Sequence, residues 1–259
     1  VQDFINKKQP KSVCVFQKEQ LGTGHAVSMA KDELKNFDGL AIILNGDIPL
    51  ITAKSLQKLV EFHQSNNADI TAITAILDDP KGYGRIIRDE NNHIKEIVEQ
   101  KDCNATQDAV KEINVGMYCL NWQKVKGFFD DLKNDNSQNE YYLTDIIKWA
   151  NENSYKTYGY ILEDSNEAFG INSRVQLAEA FKIMNERHLN KLMENGVTIV
   201  SPENTQISPE TEIGADTIIF PNTFINGKNT IGKNCKIGPF AHLRGDCTIE
   251  DFVKIGNFV

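Results

Sequence analysis

The residues best suited to chemistry in this chain begin with Asn45-Gly46-Asp47, which follow an apolar run at positions 40–44. A carboxylate here suits a hard cation, because Mg²⁺ takes one or two protein oxygens and completes its shell with water and substrate phosphates. The same residue types are common in tight turns, and Pro49 lies just beyond them. Taken alone the motif favours a turn, so other motifs must decide whether Asp47 binds a ligand.

A glycine-flanked turn, Gly22-Thr23-Gly24, lies within the stretch QKEQLGTGHAV that begins at Gln17. Backbone N–H groups in such a turn can meet a phosphate or the edge of a base. The stretch has neither a Walker lysine nor the spacing G-x-G-x-x-G, and an isolated G-x-G is a weak signal. By itself it favours a tight strand-to-helix turn.

The stretch GYGRIIRDENNHIKEIVEQKD, at positions 82–102, predicts a β-hairpin. Gly82 and Gly84 would let the backbone approach a ligand, and Glu99 offers a carboxylate of the kind that binds sugar hydroxyls. The alternative is a structural pair across the hairpin, between Glu99 and either Arg85 or Lys101.

Two asparagines could contribute amide oxygens. Asn114 lies in the β-rich run EINVGMYCL, and Asn172 ends the stretch FGIN just before a predicted helix. A neutral amide oxygen can complete a magnesium shell begun by Asp47, or it can cap a helix. The five histidines have no metal-ligand spacing, and no Ser/His/Asp or Cys/His arrangement is evident, so no catalytic nucleophile is assigned.

The first part of the chain alternates predicted strands and helices. Continuous apolar or Thr-rich runs predict strands at 13–16, 40–44 and 70–77, and helical patterns lie at 25–35 and 53–65. This order predicts an α/β domain of three layers with a mainly parallel sheet. Ligands of such domains bind beyond the carboxyl ends of the strands, where Asp47 would lie.

The pattern changes after a predicted helix at 173–195, which Ser173 can cap and Gly196 can end. From there an aliphatic residue recurs at every sixth position, nine times without a break. A parallel β-helix of hexapeptides has this period, with about three coils if each coil has three sides. The nine residues are Ile207, Ile213, Ile219, Ile225, Ile231, Ile237, Leu243, Ile249 and Ile255.

Composition narrows the functional classes further. The formal net charge of −8 argues against a general affinity for nucleic acid or for an anionic membrane. Five scattered cysteines without a C-x-x-C spacing suit free thiols in a reducing compartment. With no apolar run of about 20 residues and no signal peptide, the sequence predicts a cytoplasmic protein without a membrane partner.

One enzyme family carries a similar ordered set of motifs. The set in this chain is QLGTGHAV, NGDIPL, DDPKGYGRIIRD, IVEQKD, EINVG, EYYLTDII and GINSR, followed by hexapeptides with IGPFAHLR and KIGNFV. Along essentially its whole length the chain resembles the bacterial bifunctional N-acetylglucosamine-1-phosphate uridylyltransferase / glucosamine-1-phosphate N-acetyltransferase family. The resemblance implies a Rossmann-like nucleotidyltransferase domain at 1–172, a connector helix at 173–196, a left-handed β-helix acetyltransferase domain at 197–259, and a homotrimer.

The resemblance also implies contacts with each ligand. The uracil of the nucleotide would face Gln17, Gly22 and Thr23, and its sugar and phosphates would lie along Asn45, Gly46 and Asp47. The N-acetylglucosamine would be held by Gly84, Glu99 and Asn114, and Mg²⁺ by Asp47 and Asn172. In the acetyltransfer site, Arg244 would clamp a phosphate, although Gly245 replaces the proline usual in the family.

The implied reaction is an in-line attack by N-acetylglucosamine 1-phosphate on the α-phosphorus of UTP, which releases pyrophosphate. It needs no protein nucleophile, because the attacking oxygen is already anionic and catalysis rests on positioning and charge neutralisation. The complete protein would also acetylate glucosamine 1-phosphate with acetyl-CoA, for peptidoglycan and lipopolysaccharide precursors. Because the family's opening glycine-rich loop would precede Val1 and its catalytic histidine would follow Val259, we expect a fragment with little turnover.

Three alternatives remain open from the sequence. The first is a nucleotidyltransferase for another sugar 1-phosphate, which would show no preference for the N-acetyl group. The second is an oxidoreductase with a dinucleotide-binding fold, which the missing third glycine of GTGHAV disfavours. The third is a trimeric scaffold that binds without turnover.

Overall fold

The computed structural model describes residues 2–259, so Val1, where the predicted first domain begins, lies outside the described residues. Contacts divide the chain into two compact units after Phe169. The first unit is an α/β unit, and the second is a helix followed by short parallel strands.

The first unit is built on a six-stranded sheet. Its strands are β1 (Leu40–Ile43), β2 (Ile70–Ile76), β3 (Arg85–Arg88), β4 (Ile94–Val98), β5 (Glu112–Asn121) and β6 (Thr157–Ile161). The order is β4-β3-β5-β2-β6, and β1 pairs with β5 on the side where β3 also pairs. The predicted hairpin is the antiparallel pair of β3 with β4.

The sheet is mixed, which corrects the expectation of a mainly parallel one. Strands β1, β2, β3 and β6 run in one direction, but among the described strands of this sheet only β2 and β6 form a parallel pair. The reason is β5, which runs antiparallel to each of its neighbours and is largely buried. A buried antiparallel strand and a buried parallel strand both appear as continuous apolar runs, so composition could not separate them.

Helices and apolar clusters cover both faces of this sheet, as the three-layer expectation requires. Ile70 and Ala72 of β2 belong to one cluster, and the alternate residues Ile73 and Ala75 belong to another. The α-helices of this unit are α1 (Gln2–Lys8), α2 (Thr23–Ser28), α3 (Ala53–Ser65), α4 (Ala105–Asp108), α5 (Trp122–Val125) and α6 (Asp145–Glu152). Short 3₁₀ turns are Gln100–Asp102, Lys126–Asp130 and Ser165–Ala168.

Most of the predicted local elements of this unit are confirmed, and one is wrong. The strands predicted at 40–44 and 70–77 and the helix at 53–65 are present as β1, β2 and α3. The strand predicted at 13–16 is absent, because that segment pairs with no described strand and leaves Phe16 82% exposed. The helix predicted at 25–35 is α-helical only as far as Ser28 and continues as turns.

The second unit opens with the long helix α7 (Arg174–Glu194). The hydroxyl of Ser173 accepts a hydrogen bond from the backbone N–H of Gln176 at 3.2 Å and so caps the first turn. Gly196 adopts a φ of +92° just beyond the last turn, a conformation that glycine reaches without strain.

Beyond α7 the chain forms a parallel β-helix, which confirms the prediction from the six-residue period. Ile219 pairs with Ile237, and the cross-coil hydrogen bond between Asn229 and Thr211 spans the same 18 residues, so one coil contains three hexapeptides. The strands form three parallel stacks, β7-β10-β13-β16, β8-β11-β14 and β9-β12-β15. Their bounds are β7 (Thr198–Ile199), β8 (Gln206–Ile207), β9 (Glu212–Ile213), β10 (Ile218–Ile219), β11 (Phe224–Ile225), β12 (Thr230–Ile231), β13 (Lys236–Ile237), β14 (His242–Leu243), β15 (Thr248–Ile249) and β16 (Lys254–Ile255), with a 3₁₀ turn at Pro202–Asn204.

Candidate functional site

The glycine-flanked turn packs against the backbone of a distant loop. Gly22 precedes α2 with φ 116° and ψ 175°, a combination that is essentially limited to glycine. The N–H of Gly24 donates to the carbonyl of Tyr141 at 2.8 Å, and the N–H of Tyr141 donates to the carbonyl of Leu21 at the same distance. The hydroxyl of Thr23 accepts from the N–H of Leu143 at 3.0 Å. The turn therefore connects α2 to residues 141–143 through hydrogen bonds.

Gln17 lies beside this turn and is half-buried. Its amide nitrogen lies 3.0 Å from the Nδ1 atom of His25 and donates to the carbonyl of Gly22 at 3.4 Å. The structure thus brings together Gln17, Gly22 and Thr23, the three residues for which the resemblance implies contact with the base.

Asn45 follows β1 and contacts β5. Its amide nitrogen donates to the carbonyl of Val115 at 3.4 Å and lies where a Cβ on Gly116 would approach to 2.5 Å. Gly116 has a φ of +80°, so this point of β5 requires glycine for both its backbone angle and its closeness to Asn45.

Asp47 and Gly46 lie on the exposed loop beyond β1. A Cβ on Gly46 would meet nothing within 4 Å, so open space surrounds this residue. In the described part of the chain, the Asp47 carboxylate has neither an ion pair nor a side-chain hydrogen bond. An exposed carboxylate that no protein group neutralises fits the oxygen chemistry of a magnesium ligand.

Three residues predicted to hold the sugar lie close together where β3 and β5 are adjacent. The N–H of Asn114 donates to the carbonyl of Gly84 at 2.8 Å. A Cβ built on Gly84 would lie 3.5 Å from both carboxylate oxygens of Glu99. Gly84, Glu99 and Asn114 therefore form one cluster, which we call the Glu99 cluster.

Glu99 does not form the ion pair across the hairpin that was the alternative to a ligand contact. Arg85 pairs instead with Asp108, with 2.8 Å between its Nη2 atom and the Oδ1 atom, and Lys101 donates to the side chain of Gln138. Among residues 2–259 the Glu99 carboxylate has no ion-pair partner, and it accepts a hydrogen bond from the hydroxyl of Thr144 at 3.4 Å. The alternative, in which Glu99 pairs across the hairpin with Arg85 or Lys101, is thus contradicted.

The electrostatic setting of Glu99 is unfavourable for its charge. Burial raises the pKa of this carboxyl above its ordinary value of 4.5, the Thr144 hydrogen bond lowers it, and the nearby acids Asp102, Asp145 and Glu140 raise it further. The pKa of Asp145 is also raised, mainly by burial. Carboxyls whose pKa is raised by burial and by neighbouring acids are often found at functional sites.

Two candidate residues belong to the second unit. Asn172 is exposed just before α7, where its N–H donates to the side chain of Gln176 at 2.8 Å, while Ser173 is the capping residue. Arg244 is exposed after β14. The following Gly245 adopts a φ of +109°, which the proline usual in the family cannot adopt. The pairing of Asp47 with Asn172 around one ion stays a prediction.

Sequence reasoning missed residues that support the Glu99 cluster. Thr144 is buried and donates to Glu99, and the phenol of Tyr118 donates to the amide oxygen of Asn114 at 3.2 Å. Thr144 lies in the quoted motif EYYLTDII, directly after the loop that receives Thr23, so this motif was the available signal. The cluster and the glycine turn are thereby joined through residues 141–144.

Other classes of site find no support in the described residues. No group of three or more His, Cys, Asp or Glu side chains within 2–259 could hold a metal ion. No described helix is long and apolar enough to cross a membrane. The five cysteines are free, as expected from their spacing.

Comparison with known families agrees with this architecture. Residues 2–200 match the family described as nucleotidyl transferase, and residues 230–259 match the bacterial transferase hexapeptide family of six repeats. The chain therefore belongs to the nucleotidyl transferase family. The predicted order of a nucleotidyltransferase region followed by hexapeptide repeats is confirmed.

Individual relatives make the likeness more specific. The chain is 50% identical over 206 residues to the bifunctional protein GlmU of Caldanaerobacter subterraneus subsp. tengcongensis, a match that covers 80% of this chain and 45% of that protein. It is 44% identical over 220 residues to the bifunctional protein GlmU of Acetivibrio thermocellus, covering 85% of this chain and 48% of that protein. The chain thus spans about half the length of the curated relatives it matches, and the resemblance to a bifunctional family is confirmed.

A solved structure supports the fold alone. A UDP-glucose pyrophosphorylase complexed with UDP-glucose matches with a TM-score of 0.54 at 16% identity, covering 72% of this chain and 74% of that chain. At this identity the match shows a shared fold and carries no argument about the ligand.

Proposed function

We propose that the first unit carries the site for Mg²⁺-dependent transfer of UMP from UTP to N-acetylglucosamine 1-phosphate, giving UDP-N-acetylglucosamine and pyrophosphate. In the complete protein, the hexapeptide unit would carry acetyl-CoA-dependent acetylation of glucosamine 1-phosphate. Both products serve peptidoglycan and lipopolysaccharide precursor synthesis. A homotrimer assembled through the β-helix belongs to the same proposal.

The observation that carries this proposal is the carboxylate of Glu99, which has no ion-pair partner among residues 2–259. It lies beside the buried Gly84, whose carbonyl accepts a hydrogen bond from the N–H of Asn114. A carboxylate accepts from sugar hydroxyls and an amide nitrogen donates to a carbonyl. The pair therefore suits a sugar that carries hydroxyl groups and an acetamido group.

The nucleotide end of the substrate would lie along the glycine turn and the loop after β1. Gln17 offers an amide to a base edge, and its neighbours Gly22 and Thr23 hold the turn against residues 141–143. Asn45 contacts β5 next to Asn114, so the residues proposed for the sugar and phosphates of the nucleotide and those proposed for N-acetylglucosamine lie on connected elements. This connection supports a ligand with a nucleoside at one end and a sugar at the other.

The chemistry needs little from acidic or basic side chains. The sugar-phosphate oxygen forms a bond to the α-phosphorus of UTP while the bond to the β-phosphate breaks and pyrophosphate leaves. Asp47 would hold Mg²⁺, which when bound would neutralise phosphate charge. The chain's own residues contribute by holding base, sugar and phosphates in line.

In the second unit, the exposed guanidinium of Arg244 would bind the phosphate of glucosamine 1-phosphate, since Arg pairs well with phosphate oxygens. The φ of Gly245 implies a different backbone path from that of a proline-containing relative.

The first prediction concerns Glu99→Gln in calorimetric titrations with UDP-N-acetylglucosamine and Mg²⁺. We expect the variant to bind about thirtyfold more weakly, since a hydrogen bond to a charged group contributes about 2 kcal/mol. In the wild type, affinity should fall as pH falls through the raised pKa of Glu99, because protonation removes the charged acceptor. The variant should lack this part of the pH dependence.

Controls separate this effect from misfolding and from the other functions. A raised carboxyl pKa means that charging Glu99 costs stability above its ordinary pKa, so Glu99→Gln should be at least as stable as the wild type at neutral pH. Glu96→Gln, on β4, should bind normally.

The same titrations of the wild type separate the alternative functions. Equal affinity for UDP-glucose would favour another sugar substrate, binding of NAD would favour the oxidoreductase, and no binding of any of the three would favour the scaffold.

A second prediction addresses magnesium through Asp47→Ala. Magnesium should tighten UDP-N-acetylglucosamine binding by the wild type, and in the variant this response should shrink by about tenfold or more. Asp38→Ala, an equally exposed acid before the other end of β1, serves as the charge-matched control and should keep the response. An Asp47→Ala protein that responds to magnesium like the wild type would remove Asp47 from the metal site.

A further inference from the structure

The amide oxygen of Asn114 is fully occupied inside the protein. It accepts from the N–H of Gly116 at 3.1 Å and from the phenol of Tyr118 at 3.2 Å. A backbone N–H can only donate, so the atom facing Gly116 must be the amide oxygen. Because an amide oxygen cannot donate, the Tyr118 hydroxyl must be the donor in the second bond. Both acceptor positions of this oxygen are then used.

An irregularity in β5 makes this arrangement reachable. In its pairing with β2, Ala72 opposes Tyr118 whereas Thr74 opposes Asn114, so two steps along β2 correspond to four along β5. The extra residues form a bulge around Gly116, whose φ is +80°. The bulge changes the local path of β5, and the Tyr118 hydroxyl and the Gly116 N–H both donate to the same oxygen.

Tyr118 is well suited to hold its partner permanently. Its side chain is 1% exposed and belongs to the main apolar cluster of the first unit, so it has no freedom to turn away. Burial is the main cause that raises the pKa of this phenol, with the charges of Glu99 and Asp145 adding to it, and the Asn114 bond lowers the pKa. The hydroxyl therefore stays protonated, and stays a donor, across the pH range in which the protein works.

We propose that Tyr118 is a positioning residue that, together with the Gly116 N–H, holds the Asn114 amide oxygen in the protein, so that the NH₂ group faces the sugar and requires a hydrogen-bond acceptor there. The acetamido carbonyl of N-acetylglucosamine is such an acceptor. Glu99 is the opposite kind of group, an acceptor held by Thr144. While Glu99 is charged, the Glu99 cluster thus presents one donor and one acceptor, and this arrangement favours one orientation of the bound sugar. The inference rests on the proposed function of the same site.

The donor role has a consequence for selectivity. If Asn114 could flip, its oxygen would accept a hydroxyl of glucose as readily as its NH₂ group meets an acetamido carbonyl. A flip would leave the Gly116 N–H without an acceptor, which costs about 1–3 kcal/mol for a buried group, and it would also break the bond in which the Tyr118 hydroxyl donates to the amide oxygen. Tyr118 therefore acts on the choice between sugars without touching either of them.

The test is a double-mutant cycle of Tyr118→Phe and Asn114→Ala, read by the affinities for UDP-N-acetylglucosamine, UDP-glucose and UDP. We expect Tyr118→Phe to weaken UDP-N-acetylglucosamine binding about fivefold to tenfold, to reduce its preference over UDP-glucose, and to leave UDP unchanged. In the Asn114→Ala background the second substitution should have no further effect, because the group on which it acts is gone. Tyr158→Phe on β6 is the matched control and should bind like the wild type.

The outcomes separate the two levels of the proposal. Equal weakening of all three ligands, or the same weakening in the Asn114→Ala background, would show a general effect on the fold and overturn the positioning role. An unchanged preference between the two sugars in Tyr118→Phe would also overturn it, while the proposed function would stand. A wild-type chain that binds UDP but does not distinguish the two sugars overturns the sugar assignment and the positioning role together.

Discussion

Replacing Gly22 with alanine is expected to lower the free energy of unfolding of the first unit by about 3 kcal/mol. The backbone at this position has φ 116° and ψ 175°, which costs an L-residue strain whatever surrounds it. In addition, the new Cβ would lie 2.6 Å from the carbonyl oxygen and 2.8 Å from the nitrogen of Tyr141. These are backbone atoms of a loop held by three hydrogen bonds, so they cannot move aside as a flexible side chain could.

The same substitution should also affect the site. If the loop shifts, Thr23 loses its bond to the Leu143 N–H, and Thr144, the next residue, no longer meets Glu99. We therefore expect Gly22→Ala to weaken UDP-N-acetylglucosamine binding although Gly22 lies far from the Glu99 cluster in sequence.

Urea unfolding followed by tryptophan fluorescence measures the stability change, because both tryptophans, Trp122 and Trp149, lie in the first unit. Gly127→Ala is the matched control. Its Cβ would make only an ordinary contact of 3.8 Å with Trp149, and its backbone angle is not in the positive range. Loss of less than about 1 kcal/mol in Gly22→Ala would contradict the strain argument.

The sequence and the structure agree best where the determining signal is local. Helix α3 and strand β2 carry their own periodicity, and each β-helix coil repeats the same hexapeptide pattern, so neighbouring residues already define these elements. Strand direction in the sheet is not local. It depends on which strands β5 pairs with, and an apolar run in the sequence does not identify its partner strands.

The residues of the candidate site also differ in whether the sequence could predict their proximity. Glu99 and Gly84 lie on one predicted hairpin, so their proximity could be anticipated. Whether Glu99 contacts a ligand or forms an ion pair depended on the position of Arg85. That arginine turns away to Asp108 through a contact 23 residues along the chain. Thr144 lies 45 residues from Glu99, and no pattern in the sequence joins them. A glycine inside a strand, such as Gly116, often marks a bulge, but the sequence does not show that this bulge brings Tyr118 and Asn114 together.

Truncating Ile237 to alanine is expected to destabilise the β-helix by about 2–5 kcal/mol, the range for removing a large aliphatic side chain from a core. Ile237 is fully buried and pairs with Ile219 on one side and Ile255 on the other, in the middle of its stack. A coil has only three inward positions of this kind, so neighbouring side chains cannot close the cavity without moving the backbone of adjacent coils. The effect should therefore lie toward the upper part of the range.

Lys236→Ala is the control, because Lys236 is the adjacent residue of the same two-residue strand and is exposed. We expect it to change stability by less than about 0.5 kcal/mol. Urea unfolding by far-ultraviolet circular dichroism gives the free energies, and hydrogen exchange of the amides at 198–255 assigns them to the β-helix. Since each coil hydrogen-bonds to its neighbours, exchange in Ile237→Ala should rise in all three stacks. Faster exchange confined to the stack of β13 would mean that the three stacks open independently, and would contradict the cooperative core on which the expected magnitude depends.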